Sequence, residues 1–140
     1  MASQAQTATI VRLSDTDKKV ADHAEDVRGR KVVDRHGDEI GKVDDLLLDG
    51  RESKVRFLEV ASGGVLGIGA TKVLIPVDAV ERVEQNTVRI NQTRERVTGA
   101  PRYDPELKDQ KYYGDVYGYY GYSPWWGPGY VYPRYPHYNS

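Results

Sequence analysis

The sequence predicts an all-β domain, a small antiparallel barrel of about six strands. Three observations lead there. Short runs of Val, Leu and Ile between residues 27 and 90 are separated by turn residues roughly every eight to twelve positions. No segment reads as a long amphipathic helix, which argues against an alternating α/β fold. The candidate core of that region is almost wholly aliphatic, with Phe57 as its one aromatic residue.

Taken in order, Lys31 to Asp34 reads as a short strand. Arg35-His36-Gly37-Asp38 reads as a turn in which Gly37 takes positive φ. Glu39 to Asp49 reads as a long strand. Its apolar parity shifts between Ile40 and Val43, which predicts a β-bulge near Gly41. Asp49-Gly50 marks a hairpin turn before a strand from Lys54 to Ala61. In that strand Val55 and Phe57 are expected on one side and Leu58 and Val60 on the other, so both faces need cover. Lys72 to Ile75 is a further strand, ended by Pro76. Val80 to Gln85 and Thr87 to Ile90 pair across a tight turn at Asn86. Thr93 to Val97 forms one helical turn, stopped by Gly99 and Pro101.

Composition divides the chain into three parts. Residues 1–19 are polar and read as a flexible leader. Val20 to Asp26 reads as extended chain leading into a barrel over residues 20–102. Residues 103–140 form a tail that holds every tyrosine and both tryptophans. The formal net charge of -1 lacks the basic surplus of a nucleic-acid binder. The absence of cysteine excludes disulfides and thiolate metal sites. No signal-peptide pattern and no apolar run of about 20 residues is visible, so a cytoplasmic protein is expected, with at most peripheral membrane contact.

The run DVRGRKVVDRHGDEIGKVDDLLLD, with its Arg-Gly, Asp-x-x-Gly and Ile-Gly-x-Val-x-Asp, resembles the opening of a PRC-barrel domain. KVRFLEVASGG, VLIPVDAVERV and TRERVTGAPRYDP continue the resemblance over about residues 20–105. The family includes the cytoplasmic domain of the photosynthetic reaction-centre H subunit and is similar to the C-terminal domain of a ribosome maturation factor. The resemblance implies a small barrel used for docking and carries over no catalytic residue. The chain shows neither the membrane helix of the H subunit nor the separate N-terminal domain of the maturation factor.

Other motifs favour bland readings. Gly64 and Gly69 have the spacing of a phosphate loop, but Ala70 stands where the lysine belongs and no helix follows. The loop's Val65, Leu66 and Ile68 either plug the barrel end or form a docking knob. Asp34, Asp38, Glu39, Asp44 and Asp45 lack calcium-loop spacing and read as solvated charges. His23, His36 and His137 show no convergence on a metal. No nucleophile-base pattern is present, so no catalytic residue, cofactor or metal is expected.

The tail segment KYYGDVYGYYGYSPWWGPGYVYPRYPHY sets aromatic rings among Gly and Pro, which resist helix and central strand. It either folds back along the barrel, stays disordered, or offers contacts. The expected function is a non-catalytic adaptor docking onto a protein partner or a second copy. Tyr119, Tyr120, Tyr122, Trp125 and Trp126 join the glycine loop as its contact residues. A ribosome-associated factor, and a reaction-centre-like or membrane-associated stress protein, are the alternatives.

Overall fold

The computed structural model describes residues 10–15, 26–52, 54–62, 71–133 and 135. Seven strands form one curled sheet: β1 (Ile10–Arg12), β2 (Lys31–Val33), β3 (Glu39–Asp49), β4 (Val55–Ser62), β5 (Thr71–Pro76), β6 (Val80–Val83) and β7 (Thr87–Ile90). The order is β5-β4-β3-β2-β7-β6, and β1 adds to β3 beside β2. The sheet curls into a half-barrel, as the sequence predicts. One pair departs from the antiparallel expectation: β2 and β7 run parallel. A parallel pair needs a long crossover, and the β3-to-β6 excursion supplies it.

The long strand β3 organises the sheet, because it pairs with β1, β2 and β4. Its expected bulge is present. Val32 and Val33 face Gly41 and Glu39, so Ile40 is the extra residue. A second register jump sets Asp44 outside the ladder with β4. Gly41 has a further reason to lack a side chain: a Cβ there would lie 1.9 Å from the Ala61 carbonyl oxygen.

Both faces of β4 are covered, since every residue from Val55 to Val60 is buried, the charged Arg56 and Glu59 included. Cross-strand partners share a face. Leu46, Leu58 and Ile75 therefore point to one side, and Leu47, Phe57 and Pro76 to the other. A third jump, across Arg56, breaks the alternation expected between Val55 and Phe57.

Two short helices follow the sheet. The first, α1 (Arg94–Thr98), is the predicted turn, capped by the Thr93 side chain, which accepts from the Arg96 N–H. The second, α2 (Gln110–Tyr120), lies in the tail, where Gly and Pro had argued against a helix. Local chemistry starts and stops it: Asp109 accepts from the Tyr112 N–H, and Gly121 takes φ 88°. Gly114 and Gly118 each cost the helix about 1 kcal/mol relative to alanine. Burial of Tyr113, Val116, Tyr117 and Tyr120, at helical spacing along one face, overrides that cost.

The expected leader also carries structure. Ile10, Val11 and Arg12 pair with Asp49, Leu48 and Leu47 of β3, and Leu13 enters the core. The expectation for Val20 to Asp26 falls on residues 20–25, outside the described residues.

Candidate functional site

The tail lies on the face of the sheet that carries Phe57. Phe57 stands at its centre. Its ring centroid is 5.5 Å from Tyr113, 5.2 Å from Tyr117 and 6.1 Å from Trp125. Trp125 and Trp126 meet edge to face at 4.6 Å. The Trp126 ring packs over Gly114, where a Cβ would lie in van der Waals contact with it at 3.4 Å.

Beside this cluster Arg56 lies between two rings, 5.2 Å from Trp125 and 5.4 Å from Tyr132. Its Nε donates to Asp49 Oδ2 at 2.6 Å, and a second nitrogen reaches Glu52 at 2.5 Å. Arg56 and Asp49 are both buried, so each neutralises a charge that the other's loss would strand.

Hydroxyl groups pin the tail to the barrel along its length. Tyr119 donates to the Arg96 carbonyl at 2.6 Å, and Tyr122 donates to Asn91 Oδ1 at 2.7 Å. Tyr130 donates to Asp78 Oδ2 at 2.9 Å, and Tyr132 donates to the Val55 carbonyl at 3.0 Å. Burial raises the Asp78 carboxyl above its ordinary range, against the opposing pull of the Tyr130 hydrogen bond.

The five aromatic residues singled out from the sequence therefore gather on one side of the barrel, but not in one state. Tyr120 is buried, and Tyr119, Tyr122, Trp125 and Trp126 are half-buried. Val65, Leu66 and Ile68 lie outside the described residues. Sequence reasoning missed Val131, which is 81% exposed between the anchored Tyr130 and Tyr132. Its signal was present: it is an aliphatic residue in a stretch of Tyr, Gly and Pro. Arg56 carried none, since a lone Arg in a strand does not announce its partner.

A charged cluster lies where β1 meets the same sheet. Asp45 and Glu59 are direct cross-strand partners, 1% and 2% exposed. Like charges so placed repel. Arg12 from β1 resolves this, with Nε 3.0 Å from Glu59 and 3.4 Å from Asp45. Ser14 donates to Asp45, and Lys72 reaches both Asp44 and Glu59. Burial pushes the Glu59 carboxyl up, and Arg12 and Lys72 pull it back.

The reading of all five early acids as solvated charges is corrected for two of them. Asp45 is buried under Arg12, and Asp34 is buried in its turn. Asp34 Oδ1 accepts from the N–H groups of His36 and Asp38 at 2.8 and 2.9 Å, and Oδ2 accepts from Arg94 at 2.9 Å. Burial opposes its ionisation, but these donors prevail and hold the carboxyl below its ordinary value of 3.8. A lowered folded value means that stability is present above pH 3.8 and is lost as pH falls through the folded value. Asp34→Asn is expected to cost about 1–3 kcal/mol at pH 7. Urea titrations of both proteins between pH 7 and pH 2 should show a flatter acid limb for the variant.

Among the described residues no helix is long and apolar enough to cross a membrane. No curated protein matches the chain. Residues 19–97 match the PRC-barrel domain family. Strand β1, which pairs with β3, and helix α2, which packs on Phe57, both lie outside that match. The match spans more than half of the chain and its strands form the half-barrel, so the chain belongs to the PRC-barrel family.

Proposed function

We propose that this protein is a non-catalytic docking module. The half-barrel is its platform, and a protein partner binds the aromatic cap around Val131. The observation that carries this reading is the exposure of Val131 between two tyrosines whose hydroxyls are bonded to the barrel. An apolar knob held in place loses little conformational freedom on binding. Trp125 and Trp126, half-buried nearby in sequence, add rigid aromatic area of the kind that dominates interface energetics.

The buried charged side chains described above support a non-catalytic reading through their engagement. Asp34 holds a turn, Asp45 and Glu59 hold β1, and Asp49 and Arg56 hold the tail. Each has a structural task.

Val131→Asp tests the proposal without disturbing the fold. Its stability should stay within about 0.5 kcal/mol of the parent, as for other exposed positions. Affinity capture from native lysate, with mass spectrometry, should then show a protein held by the parent and lost by the variant. Retention of the same proteins by both would overturn the reading. Sedimentation velocity separates a foreign partner from a second copy: concentration-dependent dimerisation abolished by Val131→Asp would replace the partner with self-association.

A further inference from the structure

The opposite part of the sheet has a different chemistry. The segment before β2, the start of β2, Lys42 near the start of β3 and the β6–β7 turn border a shallow, open concavity of about 440 Å³. It is lined by Arg28, Arg30, Lys31, Lys42, Gln85 and Asn86, with Gly29 at its base. Four lining side chains are cationic, two are amides, and no carboxylate or aromatic ring joins them.

Backbone pairing forces this arrangement. Lys31 and Lys42 are direct cross-strand partners, and both are exposed. The Lys31 N–H donates to the Asn86 carbonyl at 3.0 Å, which brings the β6–β7 turn against them. Gly29, at φ 87°, donates its N–H to the Val43 carbonyl and folds residues 28–30 over the strand. Arg28 is oriented by Asp26 at 2.6 Å, and Arg30 by the Glu84 carbonyl at 3.0 Å.

Cations directly opposed across a ladder destabilise it. At Asp45 and Glu59 the fold relieves the equivalent conflict with a half-buried Arg12 that reaches both carboxylates. At Lys31 and Lys42 the relief found among the described residues is an exposed contact of Lys31 with Glu39 at 3.5 Å. Lys42 makes no ion pair among the described residues. A multivalent anion seated between the two lysines would satisfy both.

We propose that this concavity binds a compact anion bearing two or more phosphate groups. The lysines supply point charges for the phosphate oxygens, and Arg28, whose Nε and one terminal nitrogen hold Asp26, adds its remaining N–H groups beside them. Gln85 and Asn86 supply neutral donors at the rim. The volume falls within the ordinary range of about 300–1,000 Å³ for small-ligand sites. The absence of rings from the lining removes a stacking platform for bases, so charge sets the recognition.

Inorganic pyrophosphate is the probe, titrated calorimetrically into the full chain at low salt. Lys31→Gln with Lys42→Gln should weaken binding at least tenfold. Lys111→Gln, at an exposed position on α2, should leave it unchanged. Lys42→Glu should raise Tm, because it turns a repulsion into an attraction, while abolishing binding. No heat at millimolar pyrophosphate, equal loss in all variants, or a lower Tm for Lys42→Glu would overturn the proposal. So would equal binding of sulfate. Binding of an RNA oligomer or anionic vesicles through these lysines, uncompeted by pyrophosphate, would reassign the face to a macromolecule.

Discussion

Gly41→Ala is expected to destabilise the protein by about 3 kcal/mol or more, at the upper end of overpacking effects. The new methyl would overlap the Ala61 carbonyl oxygen at 1.9 Å and the carbonyl carbon at 2.9 Å. Both are backbone atoms of β4, so no rotamer change relieves the clash. Only separation of β3 from β4 would, and that pair is the longest ladder in the sheet. A domain with total stability of about 5–15 kcal/mol tolerates such a loss poorly. Gly118→Ala is the matched control. Its methyl would meet nothing within 4 Å, and it sits inside α2. It should stabilise the chain by about 0.5–1 kcal/mol. Urea denaturation of the two variants should move the midpoint in opposite directions. A Gly41→Ala midpoint within error of the parent would show that the two strands can part without cost.

Arg56→Met is expected to cost about 3–5 kcal/mol, because it strands the buried Asp49 carboxylate. It also removes the cation from between Trp125 and Tyr132, so the tail should loosen. Two readouts separate these effects. Chemical denaturation reports total stability, and tryptophan fluorescence quenching by acrylamide reports exposure of the cap. Asp49→Asn combined with Arg56→Met should recover much of the stability. The asparagine keeps an oxygen for the Arg51 and Glu52 N–H groups and carries no charge. The cap should remain more accessible in the double variant than in the parent. Restored stability together with full protection of the tryptophans would show that Arg56 plays no part in holding the tail.

Features written in a few adjacent residues were legible. Gly37 takes the positive φ read for the turn at residues 35–38, although the Asp34 carboxylate that holds that turn was read as a solvated charge. The bulge near Gly41 followed from a parity shift, because a period of two cannot absorb an extra residue unnoticed. The capped turn α1 followed from Thr93 and Gly99. Helix α2 was hidden by its glycines, although Asp109, Gly121 and the spacing of Tyr113, Tyr117 and Tyr120 were all visible. Composition outweighed periodicity in that reading, and packing on Phe57 reverses the order in the folded chain.

At the candidate site, the sequence marked the aromatic segment but not which of its residues stay exposed. Aromatic density marked residues 112–126, yet Tyr120 faces the barrel and Val131 faces outward. The same limit applied to charge. Asp44 and Asp45 are neighbours of like composition, but the second register jump leaves one exposed and the other buried.

By itself the sequence determined the order of β2 to β7 with their turns, the small-barrel class and the PRC-barrel membership, since these rest on local periodicity and ordered motifs. Tertiary structure decided which surfaces remain available. Arg12 finds Glu59 across 47 positions, and Tyr132 finds Val55 across 77. Such contacts leave no local period, because the energy that makes them comes from burying whatever face the rest of the chain has left open.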